Sequence, residues 1–314
     1  MEKYIDMLLD SMVRHDALSL PMAPRYKATE NGIPSAVRHM TCWRTITEIK
    51  CIAHKLTDGK MNTALVVAEA LEGNPDTPIL LSARIRIEQD MIRELEIYTV
   101  RSRHDSGFWF KPEDMSKLPA GWSSPIPENG RASYEELYAL GEAINNMNIR
   151  KEYFGSEDCF GMENGGVVYE HIDYMTRMAP LGMPPIDMSI VPPGGRMATP
   201  MPMLFPERPT DLKNRVLCVD EKQGIVAAYG TMPGVVSPYI VSDETSTCFV
   251  PEEMIEGHRR TLTPDLTEGE TLLEEERATA MVTTVVRLHS GRLQGYHQII
   301  VLTGQGYHCP WEKD

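Results

Sequence analysis

Thr29-Glu30-Asn31-Gly32 and Met162-Glu163-Asn164-Gly165 carry the same tripeptide, once in each half of the chain. Each copy follows a helix-like stretch. Each is trailed by strand-like segments, ending at Ile92–Arg101 in the first half and at Leu293–Thr303 in the second. Self-similarity at about half the chain length predicts two copies of one unit. It also marks one acid, Glu30 or Glu163, at the same place in each. A third copy, Glu128-Asn129-Gly130, closes a proline-rich stretch, so the tripeptide is informative only in its context.

Working outward from the first copy, Tyr4, Ile5, Leu8, Leu9, Met12 and Val13 fall at helical spacing within residues 2–14, an amphipathic stripe. Tyr26–Thr29 is a short strand, Asn31-Gly32 a turn dipeptide, and Ser35–Trp43 a short helix. Strands follow at Thr45–His54, Thr63–Leu71, Pro78–Glu88 and Ile92–Arg101, with Asp58-Gly59 as a hairpin turn. Helices followed by about four antiparallel strands predict an α+β unit, whose curved sheet wraps a helix and leaves a pocket between them.

Residues 111–130 hold Pro112, Pro119, Pro125, Pro127, Gly121 and Gly130, which is linker chemistry. The first domain is therefore 1–110 and the second 131–314. The second opens on a capping box, Ser133 to Glu136. It is interrupted at about 175–209, rich in methionine and proline, and at about 233–276. Proline breaks both helix and ladder hydrogen bonds, so 175–209 is not a regular element. Its methionines suit either an adaptable apolar lid or packing between domains.

A chain of 314 residues suits about two domains. Its net charge of −14, with no basic stripe, argues against a nucleic-acid partner. No apolar run approaches the roughly 18 residues needed to span a bilayer, and the N-terminus lacks signal-peptide regions, so a cytoplasmic protein with no membrane partner is expected. Six cysteines, at 42, 51, 159, 218, 248 and 309, form no metal-ligand spacing; free thiols are expected, and no metal.

The order of elements, with Leu20-Pro21, Thr29–Gly32, Trp43, Arg84 or Arg86, Glu96 and Arg101 in the first half, resembles the SnoaL-like, nuclear-transport-factor-2-like superfamily. In the second half the matching residues are Asp158-Cys159, Glu163–Gly165, Arg215, Val219-Asp220-Glu221, Gly224 and Pro310-Trp311. The chain looks most like a tandem two-copy family with a repeated Glu-Asn-Gly motif. The resemblance implies two cone-shaped, cystatin-like units, each with an apolar cavity and one or two acid/base residues. It further implies chemistry without a metal or organic cofactor: a lyase or isomerase acting on an apolar aromatic or polycyclic small molecule. The same fold also serves non-catalytic binding proteins for apolar ligands.

Glu30 lies where the ketosteroid isomerases of that superfamily place their catalytic carboxylate. Burial at the mouth of an apolar cavity raises a carboxyl pKa toward the range of a general base. The alternative is that Glu30-Asn31-Gly32 is a turn whose side chains cap backbone groups. His39 and Trp43, four residues apart, share a helix face, and Tyr26 precedes Glu30 on the strand. Tyr26, Glu30 and His39 are the expected catalytic set. Trp43, Asn31, Arg84, Arg86 and Arg101 are the expected substrate contacts, with Glu163, His171 and Tyr174 from the second copy. Arg84 and Arg86 suit either a cross-strand ion-pair ladder or an anion clamp in the cavity. The expected active copy is the first. A homodimer or higher oligomer is expected to cover the outer sheet face carrying Ile92, Tyr98 and Val100.

Overall fold

The computed structural model describes residues 1–74, 76–107, 110–144, 160–170, 214–236, 249–252, 255 and 276–312. His171, Tyr174, the Met/Pro-rich stretch 175–209 and most of 233–276 lie outside the described residues. The architecture is α+β with two mixed sheets and few helices.

The first sheet has six strands: β1 (Met22–Glu30), β2 (Ile33–Pro34), β3 (Ile46–Asp58), β4 (Thr63–Glu72), β5 (Thr77–Glu88) and β6 (Met91–Val100), in the order β2-β1-β6-β5-β4-β3. Strands β3 to β6 form an antiparallel meander, and β1 lies parallel to β6. The second sheet contains β7 (Phe160–Glu163), β8 (Gly166–Glu170), β9 (Arg215–Asp220), β10 (Ile225–Val236), β11 (Phe249–Pro251), β12 (Glu276–His289) and β13 (Arg292–Gly304). Its order is β8-β7-β13-β12-β10, with β9 and β11 sharing the outer edge of β10. Here β7 lies parallel to β13. The same pairing order thus recurs, with β7, β8, β9, β10, β12 and β13 in the places of β1 to β6.

Helix α1 (Glu2–Val13) covers one face of the first sheet. Its stripe of Tyr4, Ile5, Leu8, Leu9 and Met12 packs on Ala64, Val66, Ala68 and Ala70 of β4 and on Ile79, Leu81, Ala83 and Ile85 of β5. The alternate residues Leu65, Val67 and Leu80 point the other way. There they meet Leu217, Tyr229, Met281, Val285 and Ile299 of the second sheet. Burial on both faces explains why β4 and β5 are near-continuous apolar runs. Each fully buried Leu or Ile contributes about 1.5–3 kcal/mol. Helix α3 (Tyr134–Ala143) covers the far face of the second sheet through Leu137 and Leu140 against Val216 and Val226. The chain therefore stacks helix, sheet, sheet and helix. Ser133 caps α3 by accepting the Glu136 N–H at 3.1 Å.

The back face expected to attract a second molecule is covered by the chain's own second sheet. Tyr98 and Val100 lie in this seam, whereas Ile92 faces α1. Strand β6 carries an extra residue at Arg93, because Ile87 pairs with Ile92 while Arg86 pairs with Glu94. A bulge of this kind reverses the facing of all residues beyond it. Ahead of β1 lie α1 and a single 3-10 turn at Ala17–Ser19.

Candidate active site

The two Glu-Asn-Gly turns are built alike. Asn31 and Asn164 adopt left-handed backbone conformations, with φ of 48° and 44°. Asn31 donates its N–H to Ile97 O, and its carboxamide bonds both the N–H and the carbonyl of Thr99. Asn164 does the same with Gln298 O and with Ile300. Each asparagine thus extends a parallel ladder past the end of its strand. Asn31 is committed to this capping and is a turn residue.

The following glycines meet the other half of the chain. A Cβ on Gly32 would lie 2.2 Å from the Tyr307 hydroxyl, and one on Gly165 would lie 2.3 Å from the Lys111 carbonyl. Positive φ and close approach both demand glycine.

Glu30 has a structural occupation. Its carboxylate accepts the N–H groups of Thr41 at 2.7 Å and Cys42 at 3.1 Å. It caps the short helix α2 (Cys42–Thr45), whose first amides have no helical partner. The rest of the expected catalytic set does not converge on it. His39 is exposed, on a separate 3-10 turn (Val37–His39) that ends at Met40, so it shares no helix face with Trp43. Trp43 is buried and donates its indole N–H to Ser11 at 3.0 Å. Tyr26 is 38% exposed.

The arginines form ion pairs. Arg84 and Arg86 lie opposite Glu96 and Glu94 across β5 and β6. Both bond Glu94, at 2.9 and 3.1 Å. They form a cross-strand ion-pair ladder on the back of the sheet. Arg101 is bidentate to Glu72, at 2.8 and 2.9 Å.

A groove of about 600 Å³ lies between α1 and the edge strand β3, lined by Asp6, Leu9, Asp10, Glu48, Lys50 and Cys51. It contains none of the expected catalytic residues.

The second copy differs at the corresponding positions. Glu163 is only part-exposed, and enclosure of its carboxyl group pushes the pKa up to about 7. The Tyr296 hydroxyl stands 3.4 Å from Glu163 Oε1, a long contact that opposes the shift only in part. Gln298 lies opposite Glu163 in the parallel register and donates to the Thr284 hydroxyl at 3.1 Å. Glu163, Tyr296, Gln298 and Thr284 share the helix-covered face of the second sheet. Their register equivalents beside Glu30 are Leu95, Ile97 and Ala83, all part of the α1 core.

Gly161 makes this arrangement possible. A Cβ there would lie 2.8 Å from the Tyr296 ring. Its counterpart is Ala28, which faces Leu95 in the first copy. Glu163 was expected both as the acid of the second copy and as a substrate contact; Tyr296, Gln298, Thr284 and Gly161 were not singled out. The available signal was Tyr296 and Gln298 two residues apart, on one face of the terminal strand.

The seam between the sheets is polar at two further places. Arg215 bonds Glu96 at 2.5 Å, and Tyr98 donates to the same carboxylate at 2.7 Å. His54 Nε2 and His297 Nδ1 are 3.0 Å apart. Desolvation lowers both imidazoles, His297 to about 3.

No family model matches the sequence, and no curated protein matches it. Among solved structures, a candidate polyketide cyclase from Sinorhizobium meliloti is similar over 30% of this chain and 93% of its own, at 22% identity and a TM-score of 0.25. IdmH from Streptomyces antibioticus, also a candidate polyketide cyclase, is similar over 31% of this chain and 88% of its own, at 15% identity and a TM-score of 0.23.

Proposed function

We propose that the chain is an acid/base lyase or isomerase acting on an apolar small molecule, with Glu163 of the second copy as the proton-transferring group. The observation that carries this reading is the Glu163 carboxyl, raised to about 7 by burial and set beside Tyr296. A carboxyl with that pKa is half ionised at neutral pH, so it both takes and returns a proton, as general acid/base catalysis requires. Glu30 instead caps α2 through two amide donors. This reading moves the chemistry from the first copy to the second and treats the units as two cone-type domains, 1–110 and 131–314.

The steps follow from the groups present. Ionised Glu163 removes a proton from carbon next to a substrate carbonyl. The electron pair moves to the carbonyl oxygen, where the Tyr296 O–H and Gln298 N–H donors stabilise the enolate. Protonated Glu163 then returns the proton to a different carbon, shifting a double bond, or gives it to a departing hydroxyl, releasing water.

The test is exchange of the α-protons of small aryl ketones, such as 1-indanone and 2-tetralone, in heavy water, followed by proton NMR. Glu163→Gln should slow enzyme-dependent exchange by at least about 100-fold, the lower range for general acid/base groups. Glu30→Gln should leave it within a few-fold. Equal exchange by wild type and Glu163→Gln excludes Glu163 as the base. Saturable ligand binding without any exchange supports a non-catalytic binding protein.

A further inference from the structure

The row of side chains through Glu163 differs between the copies in a way that folding does not require. In the second sheet, Glu163 of β7 lies opposite Gln298 of β13, and Gln298 lies opposite Thr284 of β12. In the first sheet, Glu30 lies opposite Ile97, and Ile97 lies opposite Ala83. Ile97 and Ala83 are buried in the α1 core. The same row is thus apolar beside the acid that caps α2, and carries a carboxamide and a hydroxyl beside Glu163.

Exposure grades along the second row. Thr284 is 1% exposed, whereas Gln298 and Glu163 are part-exposed. A β-branched threonine is stiff at χ1, and burial holds it further. A glutamine has three rotatable bonds, so its carboxamide wanders among rotamers unless something tethers it. Here Gln298 Nε2 donates to the Thr284 hydroxyl at 3.1 Å. That bond uses one N–H of the carboxamide and leaves the second for a ligand.

We propose that Thr284 is a positioning residue for the proton transfer at Glu163: its hydroxyl fixes the Gln298 carboxamide so that the second N–H meets the enolate oxygen of the substrate. The inference rests on the acid/base function proposed above for this site. Thr284 stands two strands from Glu163, about 10 Å at the usual strand spacing. A short side chain at that distance does not touch the carbon that Glu163 deprotonates, so Thr284 acts through Gln298. Donors aimed in advance at the developing charge are worth most, because they do not reorganise as the reaction proceeds. A tethered Gln298 meets that condition, two residues along the same strand from Tyr296.

The experiment is a double-mutant cycle on the full chain. Exchange of 2-tetralone α-protons in heavy water gives kcat and KM. Binding of 2-naphthol, an aromatic enol that mimics the tetralone enolate, is measured by calorimetry. Gln298→Leu should lower kcat about 100-fold, the loss of one oxyanion donor. Thr284→Val should lower kcat about tenfold with KM within about twofold, and Thr284→Ser should stay within about twofold of wild type, because misplacement rather than loss of a group is at stake. The double variant should lose no more than Gln298→Leu alone, since the two residues act as a unit. Affinity for 2-naphthol should follow the same order, and it decides if tetralone exchanges too slowly to measure. If Thr284→Val does not fold, Thr284→Ala, which copies Ala83, takes its place. Thr284→Val equal to wild type, losses that add in the double variant, or Thr284→Ser no better than Thr284→Val overturns the proposal. Unchanged exchange in Glu163→Gln marks instead the failure of the acid/base reading and takes the proposal with it.

Discussion

Asp58 and Asp220 end equivalent strands, and each accepts the backbone N–H of the residue preceding the other. Asp58 bonds Val219 N at 2.9 Å and Asp220 bonds Thr57 N at 3.0 Å. A reciprocal contact of this kind is what a two-fold interface produces between separate subunits. Here both sides belong to one chain. The Gly32–Tyr307 and Gly165–Lys111 approaches obey the same relation.

Asp58 also accepts the N–H groups of Lys60 and Met61 and the Tyr134 hydroxyl. Hydrogen bonds to charged groups contribute about 1.5–3 kcal/mol. Asp58→Ala should therefore cost at least about 3 kcal/mol by the same measure, and Asp220→Ala should also be costly. Urea denaturation checks both. A loss below about 1 kcal/mol for either would show that the seam does not depend on the reciprocal bonds.

Glu30→Ala removes the acceptor for two amides at the start of α2. The expected loss is about 0.5–2 kcal/mol, the range of a helix cap, with α-proton exchange retained. Thermal unfolding measures the first effect and NMR exchange the second. Loss of exchange in a folded Glu30→Ala protein would return the chemistry to the first copy.

Much of the fold was legible because the first sheet is buried on both faces: β4 and β5 are apolar runs, and α1 is a clean stripe. The Asn-Gly turns were legible for the same local reason, since few other dipeptides tolerate positive φ. The site was not. Alternation along Leu293–Thr303 separates two faces without telling which one a helix covers, so Tyr296 and Gln298 carried no label. Glu30 and Glu163 sit in identical tripeptides, and what separates them is Thr41 and Cys42 amides in one copy and Tyr296 in the other. His54 and His297 are 243 residues apart in sequence, and no local pattern brings them together.

Gly161→Ala should displace the Tyr296 ring, since the new methyl would lie 2.8 Å from it. Overpacking of this kind costs about 1–3 kcal/mol. If Tyr296 serves the chemistry, exchange should fall more steeply than stability. Tyr296→Phe keeps the ring and removes the hydroxyl, and should lower exchange without that stability loss. Unchanged exchange in both variants would leave Tyr296 with packing alone.

Stability should depend on pH in two opposed ways. Glu163 keeps its proton in the folded chain up to about pH 7, whereas the unfolded chain loses it near 4.5. Rising pH therefore removes stability between those values, by up to about 3 kcal/mol at about 1.36 per unit. Glu163→Gln, which mimics the protonated form, should gain on wild type across that window. The imidazoles act in the other sense. Their folded pKa values lie below the ordinary 6.5, so their contribution is present above 6.5 and lost as pH falls below it. Near pH 5, His297→Gln should take up about one proton fewer on unfolding. Urea midpoints across pH test both signs, and a Glu163→Gln difference that shrinks with rising pH would contradict the first.

The central claim is the state of the Glu163 carboxyl. Carbon-13 NMR of protein labelled at glutamate Cδ reads it directly, with Glu163→Gln assigning the resonance. One carboxyl is expected to titrate near pH 7 and to be missing in the variant. If the resonance that disappears in Glu163→Gln instead titrates near the ordinary glutamate value of about 4.3, Glu163 is not the proton-transferring group.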